Sequence, residues 1–292
     1  DFDNYYTLRG LDEDFGSAMQ GVYRIAGTPV GSRFYRWTGQ VSDDMTVAGN
    51  WTLNGEATST APGATSVLFF NTINLTSDPA LQPRVGRIPV ISAGSTQTYN
   101  QMMVYGTIGV LGKGNLRLAA SGDSAPALVT GGSVVLMDPA TTITMSGEHA
   151  LVSGTRISVA NLTFENGEGD VGGALIVGES LTAAGGASVQ ANLGVLTFFG
   201  PGTGGIVGNI NARSVRIFKD AASVTTVSGA SNDVFEVGDL FVVNGTLNLG
   251  TSRLYLHGEL GVAGSGATLS ASPTQVIRML GGGDSRGSGI FS

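Results

Sequence analysis

The segment SVRIFKD, residues 214–220, alternates apolar and polar side chains, and SRLYLHG, residues 252–258, does the same. A period of two puts Val215 and Ile217 on one face of an extended strand and Arg216 and Phe218 on the other. By the same rule Leu254 and Leu256 oppose Tyr255 and His257. Working outward, the rhythm recurs in TSVLFFN (65–71), NLRLAA (115–120), RISVANLTF (156–164), GALIVG (173–178), GVLTFFG (194–200) and DLFVVNGTLNLG (239–250). Each run is short and stops at a Gly, Asn, Asp or Ser corner.

Short strands arriving every ~8–12 residues also suit a sandwich or barrel. Two features favour a stacked coil. Apolar runs recur at a longer spacing, with Ile176, Leu196, Ile217 and Val242 lying 20, 21 and 25 residues apart, within the range of solenoid repeats. Long, strictly alternating meander strands are also missing. The expected fold is therefore all-β, a parallel β-helix (β-solenoid) with an aromatic-rich N-terminal cap and extended termini. The alternative places Trp37 and Trp51 in the core of an ordinary β-sandwich.

Composition agrees with short buried strands joined by many turns. The chain has 46 glycines in 292 residues, more than twice the usual ~7%. Charged residues are 13%, about half the usual ~25%, and only Lys113 and Lys219 are lysine. With 41% apolar residues and a net charge of −7, the glycine does not signal disorder. An acidic balance argues against nucleic acid, which selects a basic stripe. No apolar run approaches the ~18 residues of a membrane-spanning helix. Zero cysteines exclude disulfides and thiolate metal sites. The start at Asp1, with no basic-then-apolar leader, is what a processed secreted protein or a trimmed chain shows.

Aromatic residues crowd the N-terminal quarter. Residues 1–71 hold 11 of the 21, including both tryptophans. A solenoid must cover the hydrophobic layer and free strand edge at each end, and large flat side chains do so with few residues. Residues 37–71 are therefore expected to be a cap containing Trp37 and Trp51. It would be preceded by an extended docking segment at 1–36 and followed by a solenoid at 72–280 and a Gly/Ser-rich tail at 281–292.

The block W-T-G-x-V-S-x-D-M-x-x-A-G-N-W, followed by PGATSVLFFN at 62–71, resembles the opening of bacterial secreted β-solenoids of the autotransporter-passenger and adhesin-like type. The resemblance implies a secreted or cell-surface rod. No C-terminal stretch reads as an outer-membrane barrel, so self-anchoring is not expected.

Candidate chemistry is sparse. β-Helix lyases and hydrolases need clustered carboxylates on one outer face, often with an arginine. Arg213 and Arg216 differ by an odd number and so oppose each other on a straight strand; Glu236 opposes Asp233 and Asp239 for the same reason. These charges, with Lys219 and Asp220, read best as solvated corners. His149 and His257 read as ordinary strand or turn residues. Gly283-Asp284-Ser285-Arg286-Gly287 has the letters of a nucleophile elbow without the following helix it requires. The 166–170 loop, NGEGD, and Asp12-Glu13-Asp14 are weak calcium candidates beside their plainer role as polar turns. The Gly-rich piece at 200–205 lacks the lysine and helix of a phosphate loop. Sequons at Asn50, Asn74, Asn161 and Asn244 are compatible with secretion only. Among the recurrent aromatics Phe164, Phe198, Phe218, Phe241 and Tyr255, the outward pair is expected to be Phe218 and Tyr255, able to stack on sugars.

No enzyme activity, cofactor or metal is therefore expected. The expected function is a structural subunit of an extracellular or surface fibre. Copies would join head to tail through Phe2, Tyr5, Tyr6, Ile290 and Phe291, by adding a strand to an exposed edge. The alternatives are a glycan-binding adhesin or phage-type fibre, with surface glycans as partner, and a polysaccharide lyase or hydrolase in which Arg216 takes part.

Overall fold

The computed structural model describes residues 5–6, 23–24, 33–71, 78–105, 107–112, 114–119, 128–130, 133–136, 142–146, 149–151, 156–230, 232–250, 252–273, 275–280, 285–287 and 290–291. The fold is an all-β parallel β-solenoid with an aromatic cluster near the N-terminus. Among the described residues the sole helical element is one 3-10 turn at Ala48–Asn50. The chain divides into two compact units, Asp1–Ala150 and Leu151–Ser292.

In the first unit, strand Trp51–Leu53 runs antiparallel to Arg33–Trp37 on one side and to Glu56–Ala57 on the other. The second of these turns is built on Asn54-Gly55, both at positive φ (51° and 89°), the residue pair that a two-residue hairpin favours. From Arg33–Trp37 the sheet then becomes parallel, passing to Ser66–Asn71, Gln101–Tyr105 and Leu128–Thr130. A meander thus changes into a coil within one sheet.

Trp37 and Trp51 are directly opposed in this sheet. Their rings meet edge to face at 5.0 Å, and Trp51 also contacts Phe70 at 5.7 Å and Tyr35 at 6.5 Å. Each indole is 2% exposed, and Trp51 Nε1 donates to the Met45 carbonyl at 2.9 Å. The intervening loop folds around Asn50. Its Oδ1 accepts from the Val41 and Ser42 amides, and its Nδ2 donates to Ser42 Oγ and to the Asp44 carbonyl. The G-N-W spacing brings the second indole back over the first because this one amide closes the loop.

The same unit holds a second parallel set. Thr96–Tyr99, Asn115–Ala119 and Thr142–Ser146 stack so that Tyr99, Leu118 and Met145 form one buried column.

The second unit is the more regular. One inward column runs Ile157, Leu175, Leu196, Val215 and Leu240 to Leu260, and the ladder continues to Ser285. A parallel column two residues along holds Val159, Val177, Phe198, Ile217, Val242 and Val262. A second face stacks Leu162, Leu181, Ile206 and Val227, and a third stacks Val189, Ile210, Phe235 and Leu254. All of these apolar side chains are buried, each worth about 1.5–3 kcal/mol against full exposure. The strands Ser285–Gly287 and Ile290–Phe291 continue the ladder from Leu260–Val262 and Ala267–Ser270.

The residues that marked the recurring apolar runs, Ile176, Leu196, Ile217 and Val242, do not all share one column. Ile217 and Val242 are partners, but Leu196 belongs beside Leu175, and Ile176 faces outward opposite Thr197. The coils are unequal: Ile157 to Leu175 is 18 residues, whereas Val215 to Leu240 is 25. The surplus sits in corners, so spacing alone cannot assign a residue to a face. Some corners admit only glycine because chains pass closely: a Cβ on Gly204 would run into the Glu179 carbonyl oxygen.

Candidate functional site in the second unit

Burial follows the period of two on the straight segments and is reset at the corners. Arg213 and Arg216 are both exposed, contrary to the straight-strand expectation. Three residues, 192–194, stand against Arg213 alone between the pairs Ala191–Ala212 and Val195–Ser214. The chain bends there, and each arginine points outward from its own side of the bend. Lys219 follows the period of two, on the face of Val215 and Ile217, and so departs from the expectation of a solvated corner charge. It is 1% exposed, and its Nζ donates to the Gly178 carbonyl, with the Pro201 carbonyl at 3.5 Å. Burial lowers its pKa, against the opposing pull of Glu179 and Asp220. It is an internal strut between coils, not a solvated corner charge.

Two outward surfaces carry functional groups. On the third face, Gln190, Asn211, Glu236, Tyr255 and Arg278 occupy successive rungs of one ladder. His257 Nε2 and Glu236 Oε1 are 2.7 Å apart, both side chains substantially exposed, and the Arg278 guanidinium lies 5.5 Å from the Tyr255 ring centre. This is a polar surface whose charges already have partners.

On the first face, Thr197 and Phe199 lie side by side with Arg216 and Phe218 of the next coil, in the pairs Thr197–Arg216 and Phe199–Phe218. The two phenyl rings stack with planes 7° apart and centres 5.8 Å apart, and they are 53% and 46% exposed. Phe241, opposite Arg216, and exposed Val243 extend the apolar character to the following coil.

Phe218 and Tyr255 both lie on outward ladders; Phe164 and Phe198 are fully buried. Sequence reasoning misses Phe199 beside Phe198, although a period of two separates the neighbours into one inside and one outside. It also misses the Glu236–His257 pair, since 21 residues is one coil only if the local coil length is known.

The remaining candidates are dispersed. Phe2, Asp12-Glu13-Asp14 and Asn74 lie outside the described residues. Tyr5–Tyr6 pairs antiparallel with Tyr23–Arg24. His149 begins the strand His149–Leu151, and Ser285 opens the strand Ser285–Gly287. Asn50 is fully buried with its amide engaged, so its sequon is closed to modification in the folded chain. Asn161 Nδ2 donates to Glu179 Oε2 at 2.9 Å. Among the described residues no three His, Asp or Glu side chains are grouped to hold a metal ion, and no helix is long and apolar enough to cross a membrane.

No family model matches the chain, and neither a curated protein nor a solved structure matches it.

Proposed function

We propose that this chain is a structural subunit of a secreted bacterial surface or extracellular fibre, of the type its 37–71 block resembles, and that copies associate head to tail. The supporting observation is at the strand Ile277–Met279. Its residues continue the buried ladders, Ile277 beside Leu254 and Met279 beside Leu256. Yet Ile277 and Met279 are 40% and 45% exposed, and Val276 and Leu280 beside them are exposed as well. With Ile277 and Met279 on the inward face and Val276 and Leu280 on the opposite one, this strand, paired along one side among the described residues, presents an apolar edge that another β-strand covers favourably.

The aromatic-rich 1–36 segment of a second copy supplies suitable chemistry, with Phe2, Tyr5 and Tyr6 as its anchors. Repetition of a head-to-tail contact generates an open filament. The mechanical element would be the stacked main-chain ladder, which holds few titratable groups.

Negative-stain imaging and sedimentation across a concentration series test this. Filaments or concentration-dependent oligomers are expected, and Ile277→Asp combined with Met279→Asp should abolish them while the β-sheet circular dichroism persists. A protein that stays monomeric at high concentration, or filaments that survive the double substitution, overturns the proposal.

A further inference from the structure

We propose that Thr197, Phe199, Arg216 and Phe218 form a binding site for a carboxylated sugar, with the pyranose seated on the phenyl pair and its carboxylate on the Arg216 guanidinium. The four outward positions make a tile. Adjacent rungs are ~4.8 Å apart and alternate residues of one strand about 6.7 Å apart, so the tile has the footprint of one sugar ring. Phe199 and Phe218 stand along one edge, and Thr197 and Arg216 along the other.

Three observations favour a ligand that is apolar on one side and anionic at its rim. First, the ring centres are 5.8 Å apart with nearly parallel planes. That separation lies within the range of stacked aromatic pairs, and the two residues remain 53% and 46% exposed. The C–H face of a pyranose matches such a surface. Second, among the described residues no ion pair or hydrogen bond engages the Arg216 side chain. Arg216 has Thr197 and Phe241 as its ladder neighbours, neither of them an acid. In a chain of net charge −7, an unpaired exposed guanidinium is positioned to meet a carboxylate with two parallel hydrogen bonds. Third, Thr197 places a hydroxyl opposite Arg216, able to donate to or accept from a ring hydroxyl.

A wholly apolar partner is disfavoured because covering this face would strip water from Arg216 without supplying an acceptor. Nucleic acid is disfavoured because it demands a basic stripe, and the tile carries one cation. A sugar acid needs one. This site is independent of filament formation, since the tile lies on rungs remote in sequence from Ile277–Met279.

Isothermal titration calorimetry with oligogalacturonate, oligomannuronate and a sialylated oligosaccharide, each beside its methyl ester, tests the site. At least one free acid is expected to bind, with its ester about tenfold or more weaker, the effect of losing one charge-assisted bidentate contact. Arg216→Gln should weaken the acid to the level of the ester and leave the ester unchanged. Phe199→Ala or Phe218→Ala should weaken both forms by about threefold to tenfold. Arg253→Gln, an exposed arginine on the ladder with Val234, is the control and should have no effect. No binding of any of the three acids at millimolar concentration overturns the proposal. So does equal binding of acid and ester, or binding indifferent to Arg216→Gln; capture of an acidic peptide with no sugar binding also overturns it and reassigns the surface.

Discussion

Phe198 and Phe199 are chemically identical neighbours with opposite environments, so their substitution by alanine tests the coil directly. Phe198 is fully buried between Val177 and Ile217, whereas Phe199 is 53% exposed and touches Phe218. A buried phenylalanine removes on the order of 150–200 Å² from water. At ~25 cal/mol per Å² that is about 4 kcal/mol, which agrees with the ~3–5 kcal/mol seen when a core Phe becomes Ala. Phe198→Ala should therefore raise the unfolding equilibrium constant by about three powers of ten. Phe199→Ala forfeits an exposed ring contact worth about 0.5–1 kcal/mol. Guanidinium-induced unfolding followed by far-ultraviolet circular dichroism measures both. Because stacked coils couple to their neighbours, the Phe198→Ala loss should also appear as faster amide exchange at Val177 and Ile217. Equal destabilisation by the two substitutions, or a larger effect at Phe199, would falsify the assignment of inward and outward faces.

Other expectations follow from single contacts. Asn50→Ala removes four hydrogen bonds at a fully buried site and should cost about 2–4 kcal/mol by thermal unfolding. Asn50→Asp keeps the acceptor for both amides but sets a second oxygen against the Asp44 carbonyl, so it should recover only part of that loss. Gly204→Ala should destabilise by about 1–3 kcal/mol because the new methyl meets the Glu179 carbonyl, while Gly63→Ala, with nothing within 4 Å, should be near neutral. Tyr99 has its pKa raised by burial and, secondarily, by Asp44. The folded state therefore keeps a proton that the unfolded chain releases from about pH 10 upward, and stability falls with pH above that point. Arg36, lowered by burial to about 10, acts in the opposite sense over the same range. The diagnostic is therefore the difference between wild type and Tyr99→Phe, in which the alkaline loss should be smaller. Lys219 has a folded pKa below its ordinary value, so its burial penalty is relieved as pH rises toward about 10.5. In Lys219→Met that rise in denaturation midpoint should vanish.

How much of this is legible without coordinates depends on which interactions are local. Strand faces at Val215–Phe218 and Leu254–His257 can be read from a period of two, because successive side chains of any extended chain point to opposite sides. Phe218, Tyr255 and the all-β class follow from that rule. The partnership of Leu196 with Leu175, of Glu236 with His257 and of Phe199 with Phe218 cannot be read, because each depends on how many residues the corners absorb. Arg213 and Arg216 fall on the outside together only because three residues bulge against one between the two stretches of ladder.

The amino-acid order alone specifies a chain of short buried strands, rich in turns, poor in charge and front-loaded with aromatic rings. Those properties are local or compositional, and backbone sterics and hydrophobic burial enforce them wherever the strands end up. Neighbours are a matter of tertiary packing: which indole meets which ring, which carbonyls Lys219 reaches, and that one arginine stands beside two stacked phenyl groups. Register between coils is set by unequal corners and by the close approach of carbonyls to glycines such as Gly204, and neither is written in the spacing of the apolar residues.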